Sequence, residues 1–193
     1  MRLTMSTPPA ELPVTLEEAK SHCLVEADDV EDDQLIEGFI AAAVDYLNGP
    51  SGILGRAIVT QEWLLELEAW PGRISLPLEP VQSVVVRYLD RDGVEQELPA
   101  SAWDLDRYPS RRTQLTWARG YSLPALQPVR YPVRISIMAG FGGAAEVPIA
   151  LKVAVQMLVA HWYENRDAAQ MGGSGNDLPA AVNTLLARWR VVL

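Results

Sequence analysis

The chain has 193 residues, with 25 acidic against 16 basic side chains and a formal net charge of −9. Hydrophobic residues make up 49% and charged residues 21%, enough apolar material for a real core, which excludes a disordered or fibrous chain. The single cysteine, Cys23, excludes an intrachain disulfide framework and a cysteine-based zinc site, and fits folding in a reducing cytoplasm.

The charge is uneven along the chain. Residues 1–100 hold 19 acidic and 6 basic side chains, net −13, and residues 101–193 hold 6 and 10, net +4. Strong phosphate binding needs clustered cations, so an acidic front half argues against wrapping nucleic acid. Opposed halves can instead pair between copies in a ring or stack; the plainer reading is an acidic face that serves solubility.

Taken in order, MRLTMSTPPAELP (1–13) has no apolar run of secretory length and reads as an extended arm stiffened by Pro8, Pro9 and Pro13. Thr15-Leu-Glu-Glu18 is a capping box that opens a helix running to about Leu24. An acidic connection, Glu26 to Asp33, follows, with Asp28 or Asp29 as the expected cap of a second helix over about 30–47. There Leu35, Ile36, Phe39, Ile40, Ala43, Val44 and Leu47 recur at helical spacing, and Asn48-Gly49-Pro50 stops the helix.

The period then changes to two. Residues 58–68 alternate, with Val59, Trp63, Leu65 and Leu67 on one side and Thr60, Glu62, Glu66 and Glu68 on the other, as in a half-buried strand. Strands are expected at 74–76, 81–89, 94–98, 103–106, 113–117 and 133–138, with a hairpin turn at Asp90-Arg-Asp-Gly93 and a Pro-punctuated loop at 119–132. A third helix starts near Pro148 and runs to about Asn165. Its apolar stretch, 147–163, is broken by Lys152, Gln156 and His161, so it reads as a core helix rather than a membrane span. A glycine-rich loop at 167–176 is expected to be mobile, and Asp177 to cap a fourth helix whose stripe is Val182, Leu185, Leu186 and Trp189. Helices, strands, helices in that order predict an α+β fold: a helical layer of about four helices with an inserted antiparallel β module.

Sites of chemistry are sparse. His161 and Glu164, three apart on a helix, make half of a carboxylate metal site whose other half is missing, so no metal is expected. The acids of 28–33 fail the EF-hand pattern, because Val30, Asp33 and Phe39 hold positions three, six and twelve. Gly140-Phe-Gly142-Gly143 lacks the ending of a phosphate loop and reads as a strand-to-helix turn. No nucleophile elbow is present, and no cofactor or catalytic residue is assigned. Two segments are candidates for partner contact: the basic loop with Arg107, Arg111 and Arg112, and the apolar tail Trp189, Arg190, Val191, Val192 and Leu193.

Five stretches, in this order and spacing, resemble the head–tail connector (adaptor) family of tailed bacteriophages and gene-transfer agents. They are VTLEEAKSHCLVEADDVEDDQLIEGFIAAA at 14–43, GRAIVTQEWLLEL at 55–67, WPGRISLPLEPVQSVVVRYLDRDG at 70–93, MAGFGGAAEVPIALKVAVQMLVAHWYENRD at 138–167 and LPAAVNTLLARWR at 178–190. The resemblance implies an arm at 1–13, one adaptor domain at 14–190 (helices within 14–48 and 147–190, β insertion at about 56–140) and a tail at 191–193. It also implies a structural virion protein rather than an enzyme, found at the neck and, during assembly, in the host cytoplasm. Its expected partners are copies of itself in a ring, commonly twelvefold, the portal protein, a downstream neck, stopper or tail-completion protein, and double-stranded DNA passing through the channel without sequence-specific binding. In related adaptors the C-terminal segment reaches the portal, which would give Trp189–Leu193 that role. The competing reading is a small soluble ligand-binding domain or an uncharacterised enzyme.

Overall fold

A computed structural model of the chain describes residues 1–108, 111–165 and 180–191. The fold is α+β, and its contacts divide it into two compact units. The β unit comprises residues 1–10 and 60–140 together with Val191, and the helical unit comprises 11–59 and 141–190. The expectation of one adaptor domain with a β insertion thus meets a chain whose N-terminal segment belongs to the β unit. By sequence the β unit holds ten acids and ten arginines, whereas the helical unit holds fifteen acids against six basic residues. The whole net charge of −9 therefore belongs to the helical unit.

In the helical unit, α1 (Leu16–His22) starts with the expected capping box: Thr15 Oγ1 accepts from Glu18 N, and Glu18 Oε2 accepts from Thr15 N. It ends on Leu24, a non-glycine residue at φ 58°. Bonds from Leu24 N to Ser21 O and from Val25 N to Lys20 O close the last turn. α2 (Asp33–Leu47) begins later than expected, and neither Asp28 nor Asp29 caps it. Asp32 stands at the cap without a side-chain cap bond, and Asp29 Oδ1 accepts from Glu31 N instead. The cause is Lys20. Its ammonium is buried and donates to Ala27 O (3.1 Å), Asp29 O (2.6 Å) and Asp33 Oδ1 (2.7 Å), so the acidic connection is wound around it. α3 (Ile149–Glu164) and α4 (Ala180–Ala187) complete the unit. Its core joins Ile36, Ile40 and Leu47 of α2 to Leu151, Val155 and Leu158 of α3 and to Val182 and Leu186 of α4. Each fully buried aliphatic side chain stabilises by about 1.5–3 kcal/mol. The glycine-rich loop expected at 167–176 lies outside the described residues.

In the β unit, a five-stranded antiparallel sheet has the order β1-β2-β8-β4-β5, from Arg2–Thr7, Gln61–Leu67, Val133–Ala139, Val81–Leu89 and Glu95–Glu97. A second sheet has the order β3-β7-β6, from Arg73–Ser75, Gln114–Trp117 and Trp103–Asp106. Alternation on β8 buries Val133, Ile135, Ile137 and Ala139 on one face. Their register partners Leu67, Leu65 and Trp63 on β2, and Tyr88, Val86 and Val84 on β4, share that face. Two expectations are corrected here. Residues 2–7, read as part of an extended arm, form a sheet strand: Leu3 pairs with Leu65 and Met5 with Trp63. Glu66, read as a solvent-side residue, lies on the face opposite Leu65 but is buried, because Arg2 pairs with its carboxylate.

Candidate functional site

The two predicted contact segments lie in different units. Arg107, Arg111 and Arg112 sit in the connection between β6 and β7, at the tip of that hairpin. Arg107 and Arg111 are exposed, and Tyr108 beside them is 49% exposed. Arg112 is half-buried, and its Nε has no hydrogen-bond acceptor. None of the three has an ion-pair partner among the described residues. The tip therefore presents unneutralised guanidinium charge, suited to a carboxylate or phosphate surface.

The tail is partly tied down. Trp189, read as the start of a docking segment, packs on the core of its own unit, with its ring edge-on to Phe141 at 5.5 Å. The buried Arg56 donates to the Trp189 carbonyl, and Arg188 lies over the indole at 5.0 Å. Arg190 is exposed and donates to Asn183 Oδ1. Val191 is half-buried, and Val192 and Leu193 lie outside the described residues. The apolar C-terminal pattern reads as a docking segment for a partner, whereas Trp189 is held by Phe141 and Arg56 of its own unit, which sequence spacing has no means of showing.

The other chemistry-bearing residues have structural partners. Asn165 Nδ2 donates to the His161 carbonyl at 2.8 Å and lies 3.4 Å from His161 Nδ1. Among the described residues no three His, Cys, Asp or Glu side chains gather as a metal site. Burial, and secondarily the carboxylate of Glu164, push the Cys23 thiol above its ordinary range, which opposes thiolate chemistry. In the glycine turn, the backbone N–H of Ala144 already binds Glu11 Oε1 at 2.7 Å. The chain's own carboxylate stands where a phosphate would. An open groove of about 600 Å³ is lined by Leu16, Val25, Lys20 and Asp33 among others, but the three ammonium donors of Lys20 are taken, so the groove offers a ligand no free cation. No described helix is long and apolar enough to cross a membrane.

Residues 13–89 match the family described as phage gp6-like head–tail connector protein. No curated protein matches the chain. Among solved structures, a chain from the neck of an empty gene-transfer-agent particle, computed with C6 symmetry, is similar at a TM-score of 0.78 and 28% identity, covering 100% of this chain and 97% of that one. A chain of the native gene-transfer-agent virion gives 0.77 and 28%, with the same coverages. One from the neck of the native particle, computed with C12 symmetry, gives 0.71 and 27%, again over 100% and 97%. Over residues 13–89 the chain thus resembles the phage gp6-like head–tail connector proteins, and along its whole length it is similar to chains of gene-transfer-agent necks and virions.

Proposed function

We propose that the chain is a structural subunit of a virion neck: a connector that assembles as a homo-oligomeric ring beneath the portal, surrounds the DNA path and offers a platform to the next neck or tail protein. The observation that carries this reading is the full-length likeness to neck chains, at 28% identity and a TM-score of 0.78. Two features of the chain support it. The residues of chemical interest are held by structural partners, as suits a protein that assembles rather than turns over substrate. The helical unit concentrates the charge of −9, and an anionic wall lets DNA slide past without close cationic contacts. The arginine tip (Arg107, Arg111, Arg112) and the end of the chain, from Arg190 onward, are the proposed partner contacts.

The test is the mass of the full chain by light scattering, with negative-stain images, alone and mixed with portal-bearing capsids. Closed rings, alone or on the portal, are expected. A monomer or dimer indifferent to any portal overturns the reading. Truncation after Arg190 then tests the tail: a folded subunit that no longer joins capsids is expected, and normal incorporation removes the tail from the contacts. The cut falls there because Trp189 is part of the core.

A further inference from the structure

Among the described residues the five-stranded sheet ends in two open edges: β1 bonds only to β2, and β5 only to β4. No other backbone–backbone bond among the described residues reaches 2–7 or 95–97. All residues of β5 are exposed, as are all of β1 except the half-buried Leu3.

The edges are complementary in two respects. On the outer face, register sets Arg2, Glu66, Arg134, Arg87 and Glu97 in one row across all five strands. The row begins with a cation at β1 and ends with an anion at β5, where Glu95 stands two residues away on the same face. On the opposite face both edges carry half-exposed apolar side chains: Leu3 and Met5 (38% exposed) at β1, and Val94 (54%) just ahead of β5. Open strand edges invite pairing, and natural sheets restrict it with short, charged edge strands. β5 is short and doubly acidic, which repels a copy of itself. β1 is longer, and its one charge is of opposite sign.

We propose that β1 of one copy pairs with β5 of the next, so that the sheet runs on from subunit to subunit. The inference rests on the ring reading and specifies one of its contacts. All neighbours in the sheet are antiparallel, so β1 and β5 point the same way and their join is parallel, with the same face outward in every copy. It sets Glu95 and Glu97 beside Arg2 and Thr4 of the next copy. Such a contact uses two different surfaces, which is the heterologous geometry a ring requires. The occupant is a second copy rather than a foreign strand, because the two edges carry opposite charge on the outer face and both carry apolar side chains on the other.

The test uses the full chain with Cys23→Ser, adding Thr4→Cys and Glu97→Cys, both exposed on the outer face. A short bifunctional thiol reagent applied to rings, alone or on portal-bearing capsids, is expected to give a ladder of covalent multimers. Either single cysteine is expected to give none. Separately, E95R/E97R is expected to raise the concentration for half-assembly about tenfold or more, near 1.4 kcal/mol per contact, and T4E on the opposite edge to recover most of it. Circular dichroism and thermal melting check that the variants stay folded. If the unaltered chain never forms rings, the ring reading fails and this inference with it. If rings form but give no ladder, and E95R/E97R assembles normally, the edge contact is overturned and the ring reading stands. Cross-links of a single cysteine to itself, or only to another neck protein, also overturn it.

Discussion

The two units handle charge in opposite ways. In the β unit ten acids meet ten arginines, and besides the Arg2–Glu66 pair, whose glutamate is buried, two pairs of opposite charge lie at the surface. Arg87 lies 3.1 Å from Glu97 and Arg134 2.8 Å from Glu95, with every partner between 42% and 60% exposed. In the helical unit fifteen acids meet six basic residues, and the described ion pair is Lys20–Asp33, whose lysine side chain is 5% exposed. Balanced charge makes a short-range surface whose pairs can be exchanged for pairs with a neighbour. Unbalanced charge makes a field that reaches about 8–10 Å into physiological salt. One chain thus carries a surface suited to contact and another suited to keeping polyanions moving.

The largest expected effect separates the two kinds of ion pair. K20M removes the donor around which the acidic connection is wound, leaving two carbonyls and the Asp33 carboxylate without their shared partner. Breaking a buried pair in this way costs about 3 kcal/mol or more. R87M removes an exposed pair and is expected to cost under about 0.5 kcal/mol. Urea denaturation of both variants checks the contrast, and similar losses would show that the burial of Lys20 has no energetic consequence. A smaller effect lies in the same unit. T15A deletes the capping hydroxyl of α1 and is expected to cost about 1 kcal/mol, read from the same denaturation curves.

The features that sequence reading located are those whose partners are near in the chain. Thr15 and Glu18 are three residues apart, the alternation of 133–139 is self-evident, and Asp90 and Gly93 lie within one turn. What it missed is non-local. Arg2 pairs with Glu66 across 64 residues, within a β1–β2 ladder that makes the N-terminal segment a strand and leaves a glutamate read as solvent-side buried. The Trp189 carbonyl meets Arg56 across 133 residues. The role of Lys20 is equally non-local, since nothing in its own helix reveals that residues 27–33 fold back over it. The candidate site was legible as residue types, an arginine-rich loop and an apolar tail, but their burial and partners depend on packing that no periodicity encodes.

The smallest effect tests the local device of the β unit. Asp90 is held below the ordinary carboxylate range, chiefly by the backbone N–H of Val94, then by the Gln96 side chain and the turn N–H groups of Asp92 and Gly93, against a slight opposing effect of burial. A carboxyl whose folded pKa lies below its unfolded value, about 3.9, stabilises the fold fully above that value. The contribution is lost as pH falls through the lowered folded value, because the unfolded chain then binds the proton more readily. The denaturation midpoints of the native chain and D90N should therefore differ by a small constant amount from pH 7 down to about 5, and converge in stronger acid. A difference unchanged between neutral and acid pH would mean that the carboxylate does not hold the turn. The hairpin that presents β5 would then rest on Gly93, whose φ of 81° a side chain rarely adopts, and on the β4–β5 ladder.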